Sequence, residues 1–462
     1  MRCLMSFSFV LFSLFVRAEE TTPQTPLSQQ RSAAASSSSS ARTDQLEDIA
    51  KFRSGFLAVD RAYSKTARAE AEHRLAALEQ AAGRVSASAF RVEICQIVAL
   101  ADNGHSTCWG FESGIGLSFS SIGNEFYVFK AAPENADLLG ARLLSIDERS
   151  MKRIQPAIRS MVGGVPAHRD LSAAAVLAKP GLLHVLGITR DKAVATYRLE
   201  TLDARIVERR LTTDVHSSNW VNLEPEHAAW ASQDANEPFR WRDAPELNAV
   251  VIQLRQNMDR GNRHIAAFLE EAETAREQLN RKNIVLDMRW NLGGNFLTTR
   301  DFILAWPQRL PPPGRFFVLI GPTTFSAGIA SVAYLKQAAQ DRVTLIGEPV
   351  GDRLMFFAEN ITPTILPHSK IVLIPALQRD DFKQGCKPYR DCLMVLAQPG
   401  AAHGTPPEQV ALLEAFGRKP LQVESIEPDV SAPWTLQDFL SGHDPGIEAV
   451  GTLTAGTKQD GI

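Results

Sequence analysis

Residues 283–295 read NIVLDMRWNLGGN and residues 316–330 read FFVLIGPTTFSAGIA, and the reading of these two stretches decides the fold. Each opens as a short apolar run of the length of a buried strand, stops at turn residues and passes into a helical pattern. In the second, Ser326 falls where the turn ends and a helix from Ala327 to Gln340 begins, with Ile329, Val332, Ala333 and Leu335 as its apolar side. A hydroxyl at that point faces unpaired backbone N–H groups and the positive end of the helix dipole, which favour a developing anion. In the first, the adjacent Gly293 and Gly294 let the backbone approach a ligand closely and turn an N–H towards it. A serine at a helix start is otherwise an N-cap, and a glycine pair otherwise a turn. Together they supply a nucleophile and an oxyanion donor, the two parts acyl-transfer chemistry can least do without.

Working outward, AVVIQLRQN at 249–257 reads as a strand leading to an amphipathic helix through Ile265, Phe268, Leu269, Ala272 and Leu279. Strands at 283–288, 316–320 and 343–348 alternate with helices near 296–306 and after Ser326. That alternation predicts an α/β domain over 246–440, whose functional loops sit at the C-terminal ends of its strands.

Three blocks in order, LDMRWNLGGN at 286–295, TTFSAG at 323–328 and LIGEPVG at 345–351, resemble the core of the tail-specific (C-terminal processing) serine peptidases. That family includes the tricorn protease core and retinoid-binding relatives. Its Asp-x-Arg-x-Asn-x-Gly-Gly pattern is met by Asp287, Arg289, Asn291, Gly293 and Gly294. The resemblance implies a ClpP/crotonase-like ββα superhelix. It makes Ser326 the nucleophile and gives the oxyanion hole to backbone N–H groups of Gly293 or Gly294 and of Ala327. DNGHSTC at 102–108 is similar to the Asp-x-Gly-His-Thr element of one branch, which makes His105 the general base. Better-known bacterial members use a lysine a few residues after the Gly347-Glu348 block. Here the nearest equivalent is Arg353, which stays charged at any working pH and cannot be a base. Either His105 serves or the site is inactive. The branch resemblance points to Glu424 as the carboxylate orienting the imidazole, with Asp102 and Glu348 as rivals and His368 as a second base candidate.

The N-terminal half supplies further expectations. Residues 1–18 carry Arg2, an apolar centre and a small-residue end at Ala18, the pattern of a cleaved secretory signal. Residues 19–42, rich in Ala, Ser, Thr and Gln, are expected to be a disordered leader. Residues 43–110 read as a helical domain, with Leu46, Ile49, Phe52, Phe56 and Leu57 at helical spacing. Residues 111–175 resemble a PDZ domain through GIGLSF at 114–119 and LLGARLLSIDE at 138–148, and 176–245 read as connecting strands. An insertion at 379–418 interrupts the α/β domain.

The 462 residues are 44% hydrophobic with a formal charge of −3, which suits a soluble chain with a sizeable core and gives no reason to expect nucleic acid as a partner. No stretch after the signal is apolar enough to span a bilayer. Without the signal four cysteines remain, an even number in an exported chain. Proximity suggests Cys95–Cys108 and Cys386–Cys392, although four cysteines allow three connectivities. No motif implies a metal or cofactor. The sequence therefore points to an exported, periplasmic or secreted serine endopeptidase acting on protein or peptide substrates. The alternative is a non-catalytic peptide- or hydrophobic-ligand-binding protein on the same fold.

Overall fold

The computed structural model describes residues 27–110, 113–213, 219–358, 362–386 and 420–456. The centre of the fold is a six-stranded sheet in the order Val430–Ser431, Val343–Gly347, Phe316–Ile320, Asn283–Asp287, Ala249–Leu254, Phe239–Ala244. All neighbours run parallel except the last pair, where Phe239–Ala244 lies antiparallel on the edge. The strands Ala249–Leu254 and Phe316–Ile320 are buried at every position, as apolar runs in a sheet covered on both faces must be. One face packs on the helices Ile265–Gln278, Leu297–Arg309 and Ala327–Ala339 around Trp306, Tyr334 and Phe316. The other packs on the helix Pro445–Gly456 through Val251, Phe317, Leu319 and Val450.

Parallel pairing of Asn283–Asp287 with Phe316–Ile320 is what positions the site. In a parallel pair both strands end on the same side, so the loops 288–295 and 321–326 emerge next to each other. They are tied directly: Met288 N–H donates to Leu319 O (2.8 Å) and Phe325 N–H to Asn291 O (2.9 Å).

A second, antiparallel sheet runs Leu117–Ile122, Glu125–Ala131, Arg142–Ile146, Val194–Glu200, Ile206–Thr212. It has its own core of Phe126, Leu143, Ile154, Tyr197 and Leu199. The expected boundary at residue 175 therefore cuts through one unit, because Val194–Glu200 pairs antiparallel with Arg142–Ile146, with a bulge between Leu143 and Ser145. The boundary at 245 moves likewise: Phe239–Ala244, expected in the connector, is the edge strand of the central sheet. Its polar sequence FRWRDA disguises a strand that is tied to Ala249–Leu254 by backbone hydrogen bonds and contributes Phe239 and Ala244 to the core.

The N-terminal helices Leu27–Phe52, Lys65–Ala81 and Ala87–Ala99 pack around Phe52, Phe56, Leu75 and Phe90. The first of these helices includes residues 27–42 of the leader expected over 19–42. The run of alanines and serines needs no buried face to adopt a helix, and alanine is its best former. Residues 19–26 and the signal over 1–18 lie outside the described residues, as do Cys392 and most of the 379–418 insertion. The helical region is sewn to the C-terminal half by a small sheet in which Thr107–Trp109 pairs antiparallel with Val372–Ile374. Among the described residues no helix is long and apolar enough to cross a membrane, and no cluster of His, Cys, Asp or Glu could hold a metal ion.

Candidate active site

Ser326 has φ 54° and ψ −124°, and its side chain caps nothing. A non-glycine residue reaches that backbone conformation only when its surroundings impose it, and such strain collects at functional turns. The surroundings are identifiable. Thr324 Oγ1 donates to Met288 O (2.8 Å) and accepts from Gly321 N–H (3.0 Å), while Gly351 N–H donates to Thr324 O (2.9 Å). Asn291, fully buried, accepts Phe325 N–H on its carbonyl and donates its amide to Leu254 O (3.1 Å). The turn is thus held from both neighbouring loops.

Gly293 and Gly294 are required at their positions. A Cβ on Gly293 (φ 95°) would lie 2.6 Å from Ser326 Cβ, and one on Gly294 (φ 133°) would lie 2.6 Å from Asn257 O. Their amides differ in availability. Gly293 N–H donates to Asn291 Oδ1 at 2.9 Å, which removes it from the expected oxyanion donors. Gly294 and Ala327 N–H make no hydrogen bond among the described residues. The Asp-x-Arg part of the motif does a different job. Arg289 is buried with Asp287 on one side (2.9 Å) and Asp444 on the other (2.7 Å), so this charge cluster braces the loop and makes no contact with Ser326.

His105 is buried and comes from the opposite end of the chain. Its ring stacks on Phe325, the residue before Ser326, with centroids 4.3 Å apart, and on Phe356 at 5.0 Å. The loop that carries it is pinned at several points. Asn103 exchanges two hydrogen bonds with the backbone of Phe357 (3.0 Å each). Ser106 Oγ donates to Asp60 (2.8 Å), a buried carboxylate that also accepts Ala376 N–H; burial raises the pKa of that acid. Cys95 and Cys108 form a disulfide across the base of the loop. Cys386 is disulfide-bonded too, while its expected partner Cys392 is outside the described residues.

The carboxylate beside His105 is Asp352, with Oδ2 3.4 Å from Nδ1 and both side chains buried. Glu424 is exposed and the structure does not bring it to His105. Nothing in the sequence marks Asp352 beyond its place in the Gly351-Asp352-Arg353 turn, between a glycine and an arginine. Arg353 is instead clamped on Asp102, donating to its carbonyl and its carboxylate (2.8 Å each), and Arg169 holds the other carboxylate oxygen of Asp102. Asp102 is thereby committed elsewhere. Glu348 accepts from Trp434 N–H (3.4 Å), and burial raises its pKa. His368 pairs with Glu47 (2.7 Å) and Asp44 (3.3 Å) on the first helix, which raises its pKa and takes it out of contention as the base. Among the described residues Nε2 of His105 has no hydrogen-bond partner, and no bond to Ser326 Oγ is formed.

Comparison with solved structures identifies the scaffold. Mature CPAF complexed with lactacystin superposes with a TM-score of 0.53 at 12% identity, covering 91% of this chain and 99% of that one. Mature CPAF alone gives 0.52 at the same identity and coverage of this chain. The chain has the CPAF fold. The photosystem II D1 C-terminal processing protease is a weaker likeness, with a TM-score of 0.35 at 14% identity over 87% of this chain and 99% of that one. No protein-family model matches the sequence, and no curated protein matches it. The likeness to mature CPAF covers 91% of this chain, so it extends well beyond the central sheet.

Proposed function

We propose that this chain is an exported serine endopeptidase with Ser326 as nucleophile and His105 as general base. The observation that carries the proposal is the Ser326 backbone. A serine held at φ 54°, ψ −124° without capping its helix is not there for stability. Ser326 Oγ attacks the peptide carbonyl and its proton passes to His105 Nε2, the nitrogen that Asp352 leaves free by lying against Nδ1. The carbonyl oxygen, now negative, accepts from Gly294 and Ala327 N–H. His105 returns the proton to the leaving amine as the C–N bond breaks. It then takes a proton from the water that hydrolyses the acyl-enzyme. In the structure Nε2 and Oγ are not yet hydrogen-bonded, and substrate binding completes that contact. The second sheet, read as PDZ-like, holds the extended peptide. The Cys95–Cys108 disulfide supports export.

A second reading rests on the missing Ser326–His105 bond: a protein that binds peptides without cutting them. One experiment separates the two. Wild-type protein incubated with a fluorophosphonate should be labelled, and Ser326→Ala should not, with circular dichroism unchanged. Lactacystin, which the CPAF structure contains, serves as a second probe of the same site. A folded wild type that neither reagent modifies overturns the enzyme and leaves the binder.

A further inference from the structure

Phe325 carries two imidazoles. Besides His105, His168 stacks on it with centroids 4.9 Å apart and planes within 11°. His105 in turn lies on Phe356 with planes within 11°. The four rings come from four pieces of chain: the loop after Ala87–Ala99, the helix Pro166–Ala173, the Ser326 turn and the strand Met355–Ala358. Glycines allow the close approach. A Cβ on Gly164 (φ 93°) would lie 3.1 Å from Gly104 Cα and 3.4 Å from His168 Cδ2, and one on Gly104 would lie 3.0 Å from the Phe325 ring. Among the described residues, His168 has Ser172 Oγ at 3.4 Å from Nε2 and a hydrogen bond with the backbone of Gly104, next to His105. Partial burial keeps this imidazole neutral, with its pKa lowered to about 4 although Asp352 and a hydrogen bond with the Gly104 backbone pull it up. It packs as an uncharged ring.

We infer that His168 is a positioning residue for the general base: it braces Phe325 against His105, so that the imidazole and the nucleophile's turn are held as one stack. The inference rests on the peptidase reading. Without the bracing ring, Phe325 has room to move into the vacated space. His105 then loses one of its two flat contacts, and Nε2 is no longer confined to the approach to Ser326. The role needs a flat ring and no proton transfer, which sets it apart from that of His105.

The test uses the full chain. His168→Ala should lower kcat about tenfold with KM within about twofold, because an orientation is lost and no substrate contact is. His168→Phe, which keeps a ring, should recover kcat to within about threefold. A second readout needs no activity. In Ser326→Ala protein the NMR signal of the His105 Cε1 proton is displaced by the ring currents of Phe325 and Phe356. His168→Ala should move it towards the value of a free imidazole, and His168→Phe should not. An unchanged kcat and an unmoved signal in His168→Ala, or a phenylalanine variant as slow as the alanine one, overturns the inference. If the wild type proves inert to fluorophosphonate, the peptidase reading fails, and the NMR signal still decides whether His168 positions His105.

Discussion

Nδ1 of His105 lies 3.4 Å from Oδ2 of Asp352, and among the described residues neither atom has a hydrogen-bond partner besides this contact. In a buried setting a carboxylate beside one imidazole nitrogen selects the tautomer that leaves the other nitrogen to accept a proton, and it stabilises the imidazolium that follows. Asp352→Asn should therefore lower kcat by about 10²- to 10⁴-fold while KM stays close to wild type. Glu424→Gln, at an exposed position, should leave kcat within about twofold. Steady-state kinetics on both variants checks the assignment, and the reverse ranking would return the role to Glu424.

Arg289 joins Asp287 and Asp444 in the interior, with four hydrogen bonds from its guanidinium to the two carboxylates. Burial alone would raise the pKa of Asp444, but Arg289 outweighs it and the net shift is downward. Replacing Arg289 by alanine leaves two carboxylates buried without a counter-charge. The expected cost is about 3–5 kcal/mol of unfolding free energy. Urea denaturation of Arg289→Ala against its parent, both carrying Ser326→Ala, measures it. A loss below about 1 kcal/mol would mean that water reaches the site.

The disulfide joins residues 13 apart in sequence and encloses the His105 loop. Reducing it should cost about 3 kcal/mol through the freed unfolded chain. It should also lower kcat, since the base then sits on a loop released at one end. Activity and melting temperature followed together through a titration with a phosphine reductant test this. Full activity after quantitative thiol labelling of Cys95 and Cys108 would show that Asn103 and Ser106 hold the loop unaided.

How far the residues could be read in advance follows from the kind of contact each one makes. Ser326, Gly293 and Gly294 were legible because turn chemistry is local: strand, turn and helix follow within a dozen residues. The central strands were legible for the same reason, as apolar runs bounded by glycine and proline. Asp352 and His168 were not legible. Each acts through a ring or carboxylate far away in the chain, and nothing in GDR at 351–353 or PAHRD at 166–170 marks that neighbour. Phe239–Ala244 was misplaced because an edge strand joins its sheet through backbone bonds that composition does not report.

His168 gives the clearest pH dependence. Its ordinary pKa of 6.5 applies to the unfolded chain, while burial lowers the folded value to about 4. Between those values the unfolded state binds more protons, so native stability falls as pH drops from about 6.5 towards 4, and below that this group takes nothing further. Asp352 and a hydrogen bond with the Gly104 backbone oppose the shift, and His105 and Arg169 reinforce it. The contribution amounts to at most a few kcal/mol. Phenylalanine cannot titrate, so His168→Phe should lose less stability than its parent between pH 7.5 and pH 4.5. The comparison is made by urea midpoints on the Ser326→Ala background, which excludes self-cleavage. Parallel losses in the two proteins would mean that His168 is hydrated in solution and that the ring stack around Phe325 is looser than the 4.9 Å contact implies.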